Sequence, residues 1–325
     1  MVAAALVLVV AAAGAGGAFV GLRARSSPTP APSLAEETPA PTPTPVDPAE
    51  IQRRAFAQPL AAGCATGHAV WLFADGGSAI RFDGRVWTIP DQTLRSLSAA
   101  TCQEAVATAV GDAGSIVRID EDERSVRVDR SGTDDLHAIA PLPDGALAVG
   151  SRGTILRQSA VDWMPIDGGM KADLFGVAVN GTTAWVVGDG GVAYRLSGST
   201  WSTAPTGMTA TLRAVVAPSA DTAIAVGDGG ALLRWAGGTW SAVPSGTTGT
   251  LRAAALVGAA TWVVGDGGTA IELLGDGVRR VDLGTTCTLR AVFPEGGSVW
   301  IVGSDALRGG AWRITPNGVD RWGAC

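Results

Sequence analysis

The sequence predicts an all-β fold: a seven-bladed propeller of four-stranded antiparallel blades occupying residues 51–325. Three observations carry that expectation. A glycine-centred turn recurs as FADGG around Ala74, VGDAG at Gly111, VGSRG at Gly150, VGDGG at Gly188, Gly227 and Gly265, and VGSDA at Gly303. The intervals are 37, 39, 38, 39, 38 and 38 residues. Each interval holds four runs of five to seven residues rich in Val, Leu, Trp and Thr, too short for the helices of about 10–15 residues that a helical solenoid needs. Asp-Gly joins the second run to the third, a hairpin signal because both central positions of that turn favour positive φ. Four strands repeated about every 40 residues are the mark of a propeller blade.

Residues 1–25 come first. Val2 to Leu22 is an unbroken apolar and small-residue run closed by Arg23 and Arg25. About 20 helical residues cross a hydrocarbon core of roughly 30 Å, so the run reads as a transmembrane helix or the core of a signal peptide. Ala13-Gly14-Ala15 has the small-x-small form of a cleavage site. The two arginines alone would keep the propeller in the cytoplasm. The cysteines and the next segment argue for export, so the propeller is expected outside, in the periplasm or at the cell surface, membrane-anchored or secreted. A start upstream of Met1 is a further alternative. Residues 26–50, with SSPTPAPSLAEETPAPTPTPVDP, alternate proline with small residues. Alternating proline favours extended polyproline geometry, a semi-rigid spacer that holds a domain off a surface.

Inside the repeat, one unit runs LRAVVAP (Leu212 to Pro218), TAIAVG (Thr222 to Gly227), ALLRW (Ala231 to Trp235) and TWSAVP (Thr239 to Pro244). Trp71, Trp185, Trp262 and Trp300 stand three residues before the turn, and Trp87, Trp163, Trp201 and Trp240 stand 13 after it. Surface tryptophans can stack on sugars, but one register repeated in successive blades reads as packing between blades.

The turn acid and the base opening the next blade occur together: Asp75 with Arg95, Asp112 with His137, Asp189 with Arg213, Asp228 with Arg252, and Asp266 with Arg290. Ser151 is followed by Phe175, and Ser304 by Ala61, so both partners are lost together. Positions that vary together tend to touch, and these five pairs are expected to bridge neighbouring blades. The competing reading is a ring of arginines lining the channel mouth to attract an anion. Where blades depart from the repeat, at His137, Arg152, Phe175, Asp305 and Arg308, a partner is expected to bind. Cys64, Cys102, Cys287 and Cys325 form no CxxC motif. In an exported chain they read as disulfides, most economically Cys64–Cys102 and Cys287–Cys325, although four cysteines allow three connectivities.

Net charge is −6 with a single lysine, Lys171, and no basic run, so no nucleic-acid partner is expected. Two histidines and scattered cysteines give no metal-ligand spacing, and no cofactor is expected.

Units of the form VVGDGGxxxRxxGxTW, as in Val186 to Trp201 and Ala225 to Trp240, resemble the propellers related to sialidase-type BNR repeats. They look closest to extracytoplasmic propellers of the photosystem II assembly-factor type and their non-photosynthetic bacterial relatives. The resemblance spans about residues 56–325 and implies the fold more than an activity, because propellers host unrelated functions. The full Asp-box is missing; GSTW and GGTW, ending at Trp201 and Trp240, are degenerate forms. Sialidases of this fold use a tyrosine–glutamate pair, an arginine cluster and an acidic donor. The lone tyrosine here, Tyr194, occupies the place of Leu233 in the next unit. The acids fall in turns or in the run Asp120-Glu121-Asp122-Glu123, and no GxSxG motif occurs. Asn180-Gly181-Thr182 matches a glycosylation acceptor, a common tripeptide. The expectation is therefore a non-catalytic, membrane-tethered propeller that binds a protein partner or a small or glycan ligand. The alternatives are the sensor domain of a membrane signalling protein and a degenerate glycan-binding domain.

Overall fold

The computed structural model describes residues 48–325, apart from 84–86, 92–94, 121–125, 131, 160–161 and 324. The expected leader, the spacer as far as residue 47, residues 121–123 of the acidic run and the side chain of Trp87 lie outside the described residues. None of the described helices is long and apolar enough to cross a membrane.

The chain forms seven four-stranded antiparallel sheets, and in each the strand order follows the sequence. Blades one to seven open at Leu60, Leu97, Leu136, Leu174, Leu212, Leu251 and Thr288. The first strands of all seven line one axial channel. Blade five shows the pattern, with strands Leu212–Ser219, Thr222–Gly227, Leu232–Ala236 and Thr239–Ala242. Second strands such as Thr183–Gly188 and Ala260–Gly265 are buried at every residue. A strand covered on both faces needs apolar side chains throughout rather than alternation, which accounts for their near-continuous hydrophobic runs.

The turn after the second strand differs from the expected two-residue hairpin. Asp189–Gly191 is a single 3-10 turn, and Gly190 and Gly191 carry φ of 65° and 73°. The preceding glycine is required for another reason. Its backbone is extended, but a Cβ on Gly111, Gly150, Gly188, Gly227, Gly265 or Gly303 would lie 2.0–2.5 Å from the carbonyl oxygen of the residue before the blade's first leucine. That approach lets the turn amide bond the same oxygen, as Asp228 N does to Thr211 O at 2.9 Å.

Trp71, Trp185, Trp262 and Trp300 are buried. Trp185 of blade four packs edge-on against Trp235 and Trp240 of blade five, with centroids 4.9 and 5.3 Å away. Each such burial is worth about 1.5–3 kcal/mol. The seam between blades seven and one has no shared sheet. A helix at Pro48–Ala55, unforeseen in the sequence, leads Phe56 into a cluster with Leu60, Phe293, Trp300 and Val302. Gly309 N donates to Phe56 O at 3.1 Å, tying blade seven to this entry segment.

Both disulfides are present, Cys64–Cys102 and Cys287–Cys325, with Cα–Cα separations of 5.5 and 6.1 Å. Cys64 and Cys102 lie within the first strands of blades one and two.

Candidate functional site

The residue after each blade's opening leucine is bulged. The positions are Ala61, Ser98, His137, Phe175, Arg213, Arg252 and Arg290, and in every blade the register slips there by one residue. In blade five Leu212 faces Gly227 while Ala214 faces Val226, which leaves Arg213 unopposed. A bulge re-aims the side chain of its extra residue, and these seven converge on one mouth of the channel around a cavity of about 170 Å³. The ring is graded: small on blades one and two, aromatic on three and four, cationic on five, six and seven.

This geometry corrects the five pairs expected between blades. Arg213 forks onto Asp228 at 2.9 and 2.8 Å and Arg252 onto Asp266 at 2.6 and 3.1 Å, each within its own blade. Arg290 Nε donates to Ser304 Oγ at 2.9 Å, and His137 Nε2 bonds Ser151 Oγ at 3.0 Å, again within a blade. Arg95 lies ahead of the strand Leu97–Gln103, and Ser98 holds the position assigned to it. The bulge explains the change: the slip sets the base beside its own blade's turn. Asp189 and Asp266 act on Arg213 only through space, so the pairs Asp75–Arg95, Asp112–His137, Asp189–Arg213, Asp228–Arg252 and Asp266–Arg290 are not the bonds made.

Neighbouring blades do connect on this face, through the residue just before the opening leucine. Ser96 Oγ donates to Asp75 O at 2.6 Å, and Asp135 Oδ1 accepts from Ala113 N at 2.8 Å. Asp173 Oδ1 accepts from Arg152 N at 2.8 Å, and Thr211 Oγ1 donates to Asp189 Oδ1 at 2.7 Å. On the opposite face Arg195 reaches blade five at Ala220 O (2.8 Å) and Asp221 (3.0 Å), and Arg234 reaches Asp276 and Gly275 O of blade six. Gln103 Nε2 donates to Leu142 O at 2.8 Å, and Asn180 Nδ2 to Ala217 O at 3.0 Å. The amide of the apparent glycosylation acceptor is thus engaged between blades. The repeating third-strand arginine was visible in the sequence; its acceptors, on loops of variable length, were not.

Electrostatically the mouth is divided. Over blades one to three lie Asp75, Asp112 and Asp135; partial burial, then the carboxylates of Asp135 and Asp75, hold Asp112 above its ordinary range. Over blades five to seven lie the three arginines. The Arg213 guanidinium holds the Asp228 carboxyl below its ordinary range. Arg290 alone of the three faces a serine instead of an acid. Between the halves, Phe175 is flanked by the His137 ring at 4.9 Å and by the Arg213 guanidinium at 4.9 Å. Burial pushes the His137 imidazole down, against the pull of Asp135, Asp173 and Asp112.

Of the residues expected to bind a partner, the structure brings His137 and Phe175 together. Arg152 sits in the blade-three turn at φ 55°, exposed and paired with Asp134. Asp305 and Arg308 belong to a separate loop of blade seven, where Asp305 Oδ1 accepts from Leu307 N and Arg308 N, both at 2.7 Å. Those bonds hold the Asp305 carboxyl below its ordinary range.

A seven-fold ring with one asymmetric mouth can be set beside solved propellers. The chain has the fold of the YCF48 propellers. A structure of YCF48 bound to D1 peptide superposes with a TM-score of 0.64 at 13% identity, covering 80% of this chain and 92% of that one. YCF48 from Cyanidioschyzon merolae gives 0.63 at 13% identity, with 81% and 97% covered. The WD40 β-propeller domain of Doa1 gives 0.67 at 11% identity, with 83% and 94% covered. At these identities the likeness is one of fold. No family model matches the chain, and no curated protein matches it in sequence.

Proposed function

We propose that the propeller is a non-catalytic binding module, held outside a membrane by its N-terminal segment, that captures a polypeptide segment of a partner protein at the channel mouth. One observation carries the reading: Arg290 presents a guanidinium whose turn supplies Ser304 where Arg213 and Arg252 have acids. An arginine without a carboxylate partner at a concave site suits a carboxylate from a ligand. The paired His137 and Phe175 rings elsewhere on the same mouth offer apolar contact, and the acids over blades one to three suit a basic side chain. The fold lends support, since a similar propeller, YCF48, is known with a peptide bound. Trp71, Trp185, Trp262 and Trp300 are buried, which takes these sugar-stacking platforms away from a glycan reading.

Replacing Phe175 with a photo-crosslinking amino acid in the full chain, in its host, tests the site. The expected result is an adduct with one partner polypeptide that Arg290→Glu and Arg252→Glu each diminish. An adduct indifferent to both substitutions would falsify the assignment. Location is tested by fusing alkaline phosphatase after Cys325; an inactive fusion contradicts export.

A further inference from the structure

Blade seven replaces the three-residue turn of its neighbours with the longer loop Ser304–Gly309, and this loop is built rather than slack. Asp305 caps it from inside through Leu307 N and Arg308 N, while Asp305 N returns to Arg308 O at 3.1 Å. The result is a leucine held outward, 75% exposed, at the rim of a groove. Across from it stand Gln52, Arg53, Phe56 and Ala57 of the entry segment, and together the walls enclose a groove of about 680 Å³. Gly309 N to Phe56 O bonds one wall to the other. Gly323 lies at the groove with φ 87°, where a Cβ would meet Gly309 O at 2.3 Å. Arg53 and Arg308 make no ion pair among the described residues, although the protein as a whole is acidic.

We propose that this groove at the seam of blades seven and one is a docking site for an acidic peptide segment carrying one apolar anchor. Leu307 would take the anchor beside the edge of the buried Phe56, and Arg53 and Arg308 would take carboxylates. Charge complementarity selects the occupant: Arg53 and Arg308 both line an apolar slot, and among the described residues only Arg308 has a carboxylate close by, that of Asp305 in its own loop; a concave slot also admits a side chain where a flat bilayer does not enter. The site is separate from the channel mouth and does not depend on it.

The probe is a fluorescent hexapeptide amide, EELFDE, titrated against the full chain, with KKLFKK and EESSDE as controls. EELFDE is expected to bind, more weakly as salt rises, and neither control should. Arg53→Glu and Arg308→Glu should each weaken binding by up to about fivefold, the worth of an exposed ion pair. Leu307→Ser should weaken it as well, while Arg290→Glu at the mouth should leave it unchanged. Because all three groove positions are exposed, an unshifted Tm confirms that the variants fold. Failure of EELFDE to bind, equal binding of KKLFKK, or indifference to all three groove substitutions overturns the proposal. So does Leu307-dependent binding confined to anionic vesicles, or Leu307-dependent self-association, either of which assigns the groove a different occupant.

Discussion

His137 is the one imidazole placed among fixed charges at the mouth, and its surroundings make its titration a stability term. Burial lowers its folded-state pKa below the ordinary 6.5. Between those values the unfolded chain binds more protons than the native one, so stability is complete above the ordinary pKa and declines as pH falls through the lower one. The Tm is therefore expected to drop on acidification from about pH 7 to about pH 5. His137→Gln keeps a partner for Ser151 but cannot titrate, and should flatten that part of the profile. An unchanged slope in the variant would show that other groups set it. The neighbouring Asp228 behaves with the same sign at lower pH: its carboxyl is held down by Arg213, so what it contributes is lost in acid. With both side chains about one-third exposed, that contribution is about 0–1 kcal/mol.

At the scale of the element, two glycines of one turn carry different constraints. A Cβ at Gly227 would sit 2.1 Å from Thr211 O, a backbone atom with nowhere to go, whereas Gly229 has open space and only its φ of 67° to defend. Blades two and three already place Ala113 and Arg152 at the second position, with φ of 52° and 55°. Gly227→Ala is thus expected to cost about 3 kcal/mol and Gly229→Ala about 1 kcal/mol, measured by denaturant unfolding. Equal costs would mean that left-handed geometry, not close approach, selects both glycines. The same contrast marks what could be read in advance. Blade number, strand count and turn position follow from glycine spacing, because the close approach recurs identically in each unit. The bulge at Arg213 leaves no mark on composition, since an extra residue in a strand looks like any other. That is why Asp228 could be matched with Arg252 when the slip delivers it to Arg213. It is also why Leu94-Arg95 could pass for the opening dipeptide that Leu97-Ser98 supplies. The helix Pro48–Ala55 was hidden by its short length and by the proline-rich stretch it follows. Of the mouth, the sequence showed that His137 and Phe175 break the repeat, but not that their rings meet.

The whole ring poses a closure problem, because each blade is a complete sheet and the last does not borrow a strand from the first. Six junctions are made by consecutive blades along the chain, while the seventh depends on the entry segment and on how firmly blade seven is held. Phe56, 4% exposed among Leu60, Trp300 and Val302, fills that seam. The Cys287–Cys325 bridge secures the final strand with a sequence separation of 38. By unfolded-state entropy such a bridge is worth up to about 4 kcal/mol, and truncating a buried phenylalanine costs about 3–5 kcal/mol. The two losses fall on opposite sides of blade seven, Phe56 at its seam with blade one and the bridge where it packs on blade six, so each should loosen blade seven locally before the ring unfolds. Hydrogen exchange is expected to show protection lost first in blades one and seven for Phe56→Ala, and first in blade seven for Cys287→Ser with Cys325→Ser. Blades three to five, remote from the seam and packed through Trp185, Trp235 and Trp240, should keep theirs. Uniform loss across all seven blades would instead mean that the ring opens as a single unit, with no junction weaker than the others.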